Sequence, residues 1–512
     1  MSTENAGRRW EARRWPIGLA LVGGALVVIG AKLATIAAFG SELPFWDQWD
    51  GEASNLYIPY IQGTLSWSNL VATHNEHRIL FTRLLSLLML DLAGEWQPLF
   101  QMAVNAVLHA LALGAVLVLI TKPLNKTAAI STMVVTALTF AVPIGWENTL
   151  EGFQSQFYFL LLFASLSLSV LSRQRAFSLG WIGGILLAVA TYFSMASGAI
   201  TPAIVAGVSL FQIVMGARAR SWREVLGVLT MVAATIAMLF FIPSLPYHEP
   251  LKAHSVGQFV GALIAVGSFP LGSWLGLILL QAPVLVWAAR FLRRRPGFES
   301  TGWGLFAFSA WLAGQMASTS FSRAESALSS RYLDLFLLSV PVNLVALLIL
   351  LQEMRGRVAS LLIFIWTLPV IMSLAYDTVR FGLEGVQEKA RISGIEEANV
   401  RAYLSSGDGA SLKAQPFLYI PYPDADRLMM LLSTPEIRAA LPEKLRPLDA
   451  DRNTFLAHTW TKGRAAQAVA TIWQWALRLP IIILGLGISF LLIPSLVASL
   501  PTVPAPRRTA MD

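Results

Sequence analysis

Three carboxylates crowd the stretch "PFWDQWDGEAS" at 44–54: Asp47, Asp50 and Glu52. Asp47 and Asp50 are three residues apart, so on a helix they project from one face. One could serve as general base while the other orients a metal or an acceptor hydroxyl. General-base assistance is worth about 10²–10⁴-fold in rate. The same spacing fits a structural role, with Asp47 as N-cap and Asp50 in the first turn of a helix. Negative charge there stabilises by about 0.3–1 kcal/mol.

Further polar groups gather in four short stretches. "HNEHR" places His74, Glu76, His77 and Arg78 within five residues. That set offers an acid, a base and a phosphate clamp, because arginine presents a fork of donors; a polar loop at a water interface would read the same way. "PIGWENTLEGFQSQF" at 143–157 offers Glu147, Asn148, Glu151 and Gln154, with Glu147 and Glu151 expected one helical turn apart. Such residues at the edge of an apolar bundle line a cavity or join two helices. "SFSRAESALSSRYLDL" at 320–335 carries Arg323, Arg331 and Tyr332, and "PYHEPLKAHS" at 246–255 adds His248, Glu249, Lys252 and His254 as a weaker signal. Lys32 and His109 fall inside apolar runs. Lys32 is expected to face a cavity or a partner, and His109 to be a hydrogen-bonded helix contact.

The elements that must position these groups are membrane spans. Of 512 residues, 55% are hydrophobic and only 13% charged, with mean hydropathy +0.60, against about 25% charged in soluble domains. The chain reads as an all-α polytopic membrane protein. About twelve apolar runs qualify: 16–39, 97–120, 128–145, 155–172, 177–196, 198–216, 224–243, 271–291, 303–320, 333–352, 358–376 and 475–498. The first reads as a signal anchor. Cysteine is absent, which excludes disulfides and thiolate chemistry, and the six histidines form no metal-binding pattern.

Basic clusters at 8–14, 122–126, 173–175, 218–223, 290–295, 355–357 and 507–508 fall at alternate span ends and hold 19 of the 38 Lys and Arg. The positive-inside rule makes that side cytoplasmic and puts both termini there. The net charge of +8 is then largely topological and calls for no nucleic-acid partner. Every polar stretch above falls on the opposite side. Arg323 and Arg331 run against the rule there, so they pair with Glu325 or Asp334, or bind an anion.

Three modules follow: 1–376, a transmembrane unit with a long first outer loop at 41–96; 377–470, a small outer segment; and 471–512, the last span and tail. In the first loop, Trp49, Ala53, Leu56, Tyr57, Tyr60 and Ile61 recur at helical spacing, as in a helix lying in the membrane interface. "RILFTRLLSLLMLDLAG" at 78–94 carries Arg83 and Asp91 and reads as a second juxtamembrane helix. No repeat and no nucleotide-cradling glycine loop is present. Polar chemistry on one membrane face suits a substrate with a headgroup in water and a tail in the bilayer.

This layout resembles the GT-C superfamily of integral-membrane glycosyltransferases, which use polyprenyl-phosphate sugars. "FWDQWD" stands where that family carries an acidic motif, and "HNEHR", "WENTLEGFQ" and "SSRY" resemble segments of bacterial members. The resemblance implies an inverting hexosyl- or pentosyltransferase in the bacterial plasma membrane with an extracytoplasmic site. Asp47 or Asp50 would be the base. Glu52, His74, Glu76, His77, Arg78, Glu147, Asn148, Gln154 and Arg323 would meet the substrates, and Arg331 and Tyr332 the donor phosphate. The partners would be the polyprenyl-phosphate sugar, a glycan or lipid-linked acceptor, and membrane lipids. A divalent metal, Mg or Mn, would sit on Asp47 and Asp50 if one takes part. The spaced aspartates differ from the adjacent acidic pair of many members, which leaves the choice of base open. A lipid-linked-glycan flippase or exporter and a non-catalytic membrane scaffold are the alternatives.

Overall fold

The computed structural model describes residues 3–352, 354, 356–459 and 463–499. Arg355, Arg507 and Arg508 lie outside them. The chain is helical almost throughout, and the two-residue strands Thr73–His74 and His77–Arg78 form one small hairpin. Side-chain oxygens punctuate the helices: Asn125, Ser178, Ser221, Ser255 and Ser273 each accept from a backbone N–H two or three residues into the helix that follows.

Among the described residues, nine helices are long and apolar enough to cross a membrane, or ten if one bent pair is a single span. The protein is therefore all-α and polytopic. Two expected runs differ from the sequence reading. Leu179–Tyr192 has 14 residues, about 21 Å of helix, which is short of a hydrocarbon core of about 30 Å. Gly302–Ser322 is 21 residues long, but Gln315, Ser318, Thr319, Ser320 and Ser322 dilute its apolar character, and it is not among the nine. The last run is broken by about 70° between Arg478 and Pro480, where proline disfavours helix at the residue before it. The helix Pro480–Ser499 then lies along the first helix, Thr3–Phe39. Glycines allow the close approach: a Cβ on Gly30 would come within 2.5 Å of the Leu484 nitrogen, and one on Gly487 within 2.5 Å of the Val27 nitrogen. The bundle core is aromatic and aliphatic, with Trp303, Trp311, Phe308 and Phe336 fully buried.

The first loop keeps its two helices but not their expected surroundings. A π-helix, Trp49–Tyr57, continues into Ile58–Ile61, and Leu80–Ala93 forms the second helix. Trp49, Ala53, Leu56 and Tyr57 have no accessible surface. They pack with Trp96 and with Leu428, Leu431, Leu432, Ile437 and Leu441 of the 377–470 segment. That apolar face is covered by protein rather than turned to lipid, so loop and segment share one core. The segment, here called the cap, holds the helices Ala425–Ser433, Pro435–Ala440 and Arg452–His458. Its boundary at 377 falls inside continuous helix: Gly356–Asp377 runs through a π-turn, Thr378–Leu383, into Glu384–Ser406. The charges in the second loop helix face inward. Arg83 donates to the Leu70 and Ala72 carbonyls, and Asp91 accepts from Tyr60. At the opposite end of the bundle the basic turns are internally bonded, Arg218 to Glu224 and to the Gln174 carbonyl.

Candidate active site

The three carboxylates of the first loop have three different fates. Glu52 has no accessible surface and accepts from Gln48 (2.9 Å), Ser86 (2.6 Å), Trp96 (2.8 Å) and Gln101 (2.8 Å). Burial pushes its carboxyl up, against those four donors. It knits the loop helices to the second span and is closed to a ligand, which corrects its expected role in substrate binding. Asp50 accepts from the Tyr422 hydroxyl and, at 3.1 Å, from Arg427 Nη2. It ties the loop to the cap. Asp47 is the carboxylate that remains. It does not cap the helix; Gln48 occupies that position without a side-chain capping bond. Its Oδ1 is 3.3 Å from His74 Nε2, and its side chain is 34% accessible. Burial alone would push the Asp47 carboxyl up, but the facing His74 imidazole and the Arg331 charge outweigh it and hold it below the ordinary range. Asp47 is thus ionised at neutral pH and able to accept a proton.

The backbone beside Asp47 is strained. Trp46 sits at φ 47°, a region that bulky residues avoid and that persists only where neighbours impose it. The Trp46 N–H donates to the Pro421 carbonyl of the cap at 2.8 Å.

The hairpin brings His74 and His77 into register. Burial pushes the His77 imidazole down to about 4, so the ring is neutral, and its Nδ1 accepts from the Ala196 N–H at 3.3 Å. Glu76 bonds His248 at 2.5 Å and Arg323 at 3.0 Å. Burial would raise its carboxyl, but those partners, Arg323 first, hold it down at about 2. Arg78 donates to the Val71 carbonyl at 2.7 Å and braces the hairpin. The expectation that Arg323 and Arg331 pair with Glu325 or Asp334 is corrected: Arg323 takes Glu76, and Arg331 takes Glu147 at 2.9 Å.

Glu147 also accepts from Ser330 Oγ and the Arg331 N–H, so it closes the N-terminus of Ser330–Phe336. Glu147 and Glu151 do not share a helical turn. The helix Trp146–Leu150 stops, and Glu151 is extended before the tight turn Gly152–Gln154. Gln154 donates to Glu151 at 2.5 Å. Burial pushes the Glu151 carboxyl up to about 7, with Glu147 adding to the effect and the Arg331 and Lys389 charges opposing it. Asn148 bonds the Arg331 carbonyl and Asp334.

A cavity of about 350 Å³ lies beside the hairpin. It is lined by the polar Glu76, His77, His248, Lys252 and Arg323 and by the apolar Phe157, Leu160, Met195, Ile200 and Leu239, with Tyr332 among them. Asp47 is not in its lining. His77 lines the cavity, and its hairpin partner His74 touches Asp47. Loop, span connector and the Arg331 helix thus converge on one region, although residues 47 and 331 are far apart in sequence. Glu249, bonded to Lys252, and His254 are peripheral.

No protein-family model, no curated protein and no solved structure matches this chain.

Two features were not legible. Lys389 of the cap reaches the site, but nothing distinguishes it within the polar helix Glu384–Ser406. His109 is not the hydrogen-bonded contact expected, since neither ring nitrogen has a partner. It stacks on Tyr158 and lies 3.9 Å from Asp334, which Lys32 approaches to 3.8 Å. Lys32, His109 and Asp334 form a buried hub below Arg331. A metal on Asp47 and Asp50 would have to compete for Asp50. Asp50 is committed to Tyr422 and Arg427, and among the described residues no three His, Asp or Glu side chains group as ligands.

Proposed function

We propose that this chain is a membrane glycosyltransferase of GT-C type that moves a sugar from a polyprenyl-phosphate donor to a glycan or lipid-linked acceptor. One observation carries the reading: Asp47, ionised and in contact with His74, feels the Arg331 charge and lies one hairpin away from a largely apolar cavity that Glu76, Lys252 and Arg323 also line. Such a cavity suits a lipid tail, with the headgroup held where the acids and cations meet.

In the proposed reaction, an acceptor hydroxyl gives its proton to Asp47, and its oxygen attacks the anomeric carbon. The bond from that carbon to the phosphate oxygen breaks, and the lipid phosphate leaves with the electron pair. Inversion at the anomeric carbon follows from the single displacement. Arg331 meets the charge that grows on the phosphate. Its side chain is 34% accessible, and Nη2 bonds Glu147, which leaves further donors for a ligand. Asp50 is a cap tie in this scheme and Asp47 the base. No step passes through a metal.

The test is transfer of labelled sugar from polyprenyl phosphate by purified protein in lipid. Asp47→Asn should lower the rate by about 10²–10⁴-fold with the fold intact. Asp50→Asn should retain transfer and lose about 1 kcal/mol of stability, as expected for a half-exposed pair. Parental transfer by Asp47→Asn would refute the assignment.

A further inference from the structure

The stretch "GRAAQAVATIWQWALR" follows the cap and folds as one helix, Gly463–Arg478. Its residues sort into three faces. Val469, Ala470, Trp473, Ala476 and Leu477 are half-buried. Ala476 and Leu477 pack on the cluster of Leu33, Ile36 and Met102, and the Trp473 ring lies 5.9 Å from that of Phe100. Those partners stand near the end of the first helix and the start of the second span, Pro98–Ile120. Gln101 of the same turn bonds Gln48, the neighbour of Asp47. The helix therefore crosses the bundle at the end that holds the candidate site, against the loop helix Leu80–Ala93.

A second face is apolar and exposed. It holds Ala465, Ala468, Ile472, Trp475 and, just past the helix, Leu479. Ile472 is 69% accessible and Trp475 51%. The third face is exposed and polar, with Gln467, Thr471, Gln474 and Arg478. Steps of three and four residues keep each set on its own side.

The direction of the helix decides what the second face meets. Pro480–Ser499 has 20 residues, about 30 Å of helix, enough to cross a hydrocarbon core by itself. Gly463–Arg478 is not needed to complete that span. The two are bent by 70°, so the earlier helix runs close to the membrane plane. Ile481 and Ile482, exposed at the start of the span, follow directly on Leu479, so the apolar face continues the surface that the span turns to lipid. Arg464 and Arg478 are exposed near its two ends, and the helix contains no acid. The Arg478 guanidinium lies 5.9 Å from the Trp475 ring centroid. Tryptophan and arginine suit the headgroup level, where the ring stays apolar on one side and the cation reaches lipid phosphate.

We propose that Gly463–Arg478 is an in-plane helix seated in the phospholipid interface on the candidate-site side of the membrane. Ile472 and Trp475 enter the acyl boundary, the glutamines face water, and the arginines meet lipid phosphates. The glycosyltransferase reading plays no part in this. The last cap helix, Arg452–His458, ends a few residues earlier, so the seat ties that end of the cap to the bilayer surface.

The sequence contains no cysteine, so single cysteines can carry an environment-sensitive nitrobenzoxadiazole label in the full-length protein. The protein is reconstituted in phosphatidylcholine–phosphatidylglycerol vesicles, with monodisperse elution as the folding control. Labels at Ala468→Cys and Ile472→Cys should emit to the blue, resist aqueous iodide and be quenched by lipids brominated high on the acyl chain, at a depth of about 5–10 Å into the interface. Labels at Gln467→Cys and Gln474→Cys should show the reverse. Equal iodide quenching at all four positions would put the helix in water and overturn the proposal. Strongest quenching at Ile472→Cys by lipids brominated near the chain end would make the helix part of a broken span and overturn it too. Oxidative dimers through Ile472→Cys without lipid quenching would assign the face to a second copy of the chain instead of lipid.

Discussion

At the scale of single residues, Glu151 should be felt most clearly in the pH dependence. Its carboxyl ordinarily titrates near 4.5 and is pushed up to about 7, chiefly by burial, with Glu147 reinforcing and Arg331 and Lys389 opposing. The folded protein therefore holds a proton that the unfolded chain has released between those values. The stability this gives is complete below pH 4.5 and is lost as pH rises through 7. Thermal unfolding followed from pH 4.5 to 8 should show a decline of roughly 1–3 kcal/mol that Glu151→Gln abolishes. An identical profile for the variant would place the cause elsewhere. Glu76 has the opposite sign: its carboxyl lies at about 2, so its contribution is present above 4.5 and fails only in acid. Both residues stood out in the sequence as members of short polar stretches between apolar runs. Their partners did not, because Glu76 finds Arg323 across 247 positions and no local rule fixes such a pairing.

At the scale of elements, the buried hub decides how the Arg331 helix is held. Lys32 comes from the first span, His109 from the second, Tyr158 from the fourth and Asp334 from the helix that begins at Ser330. Lys32 donates to Thr149 at 2.7 Å, and Tyr158 and Asn148 donate to Asp334. Removing one charge of a buried pair leaves the other unpaired, at a cost of about 3–5 kcal/mol. Lys32→Met should therefore destabilise by that order, and adding Asp334→Asn should recover a large part of it. A double variant whose loss equals the sum of the singles would show that the two charges are not coupled. Lys32 and His109 were visible as ionisable residues in apolar runs. Their convergence was not, since helical periodicity gives a face but not the neighbour that face meets.

At the scale of the whole molecule, the cap and the first loop behave as one body. The apolar stripe of Trp49, Ala53, Leu56 and Tyr57 has the spacing of an interfacial helix, yet the cap covers it. A stripe of this kind must leave water, and burial against protein or against lipid satisfies that need equally. Docking of the cap on the bundle at Gly385 and Trp146 gives a direct test. Gly385→Val should lift the cap helix and speed proteolysis between residues 407 and 459, while the spans stay folded. Unchanged cleavage would mean that this contact does not seat the cap.

Composition and periodicity by themselves determined an all-helical, many-span chain, the polar stretches that reach one end of it, and the pair of helices in the first loop. Those properties follow from transfer of apolar side chains out of water and from the 3.6-residue turn, both of which are local. Only the tertiary structure decided which carboxylate stays open, which arginine pairs with which acid, and that a lysine of the cap overhangs the site. The physical reason is that charges choose partners by distance in space and by what else is buried beside them, and neither is written in the order of residues.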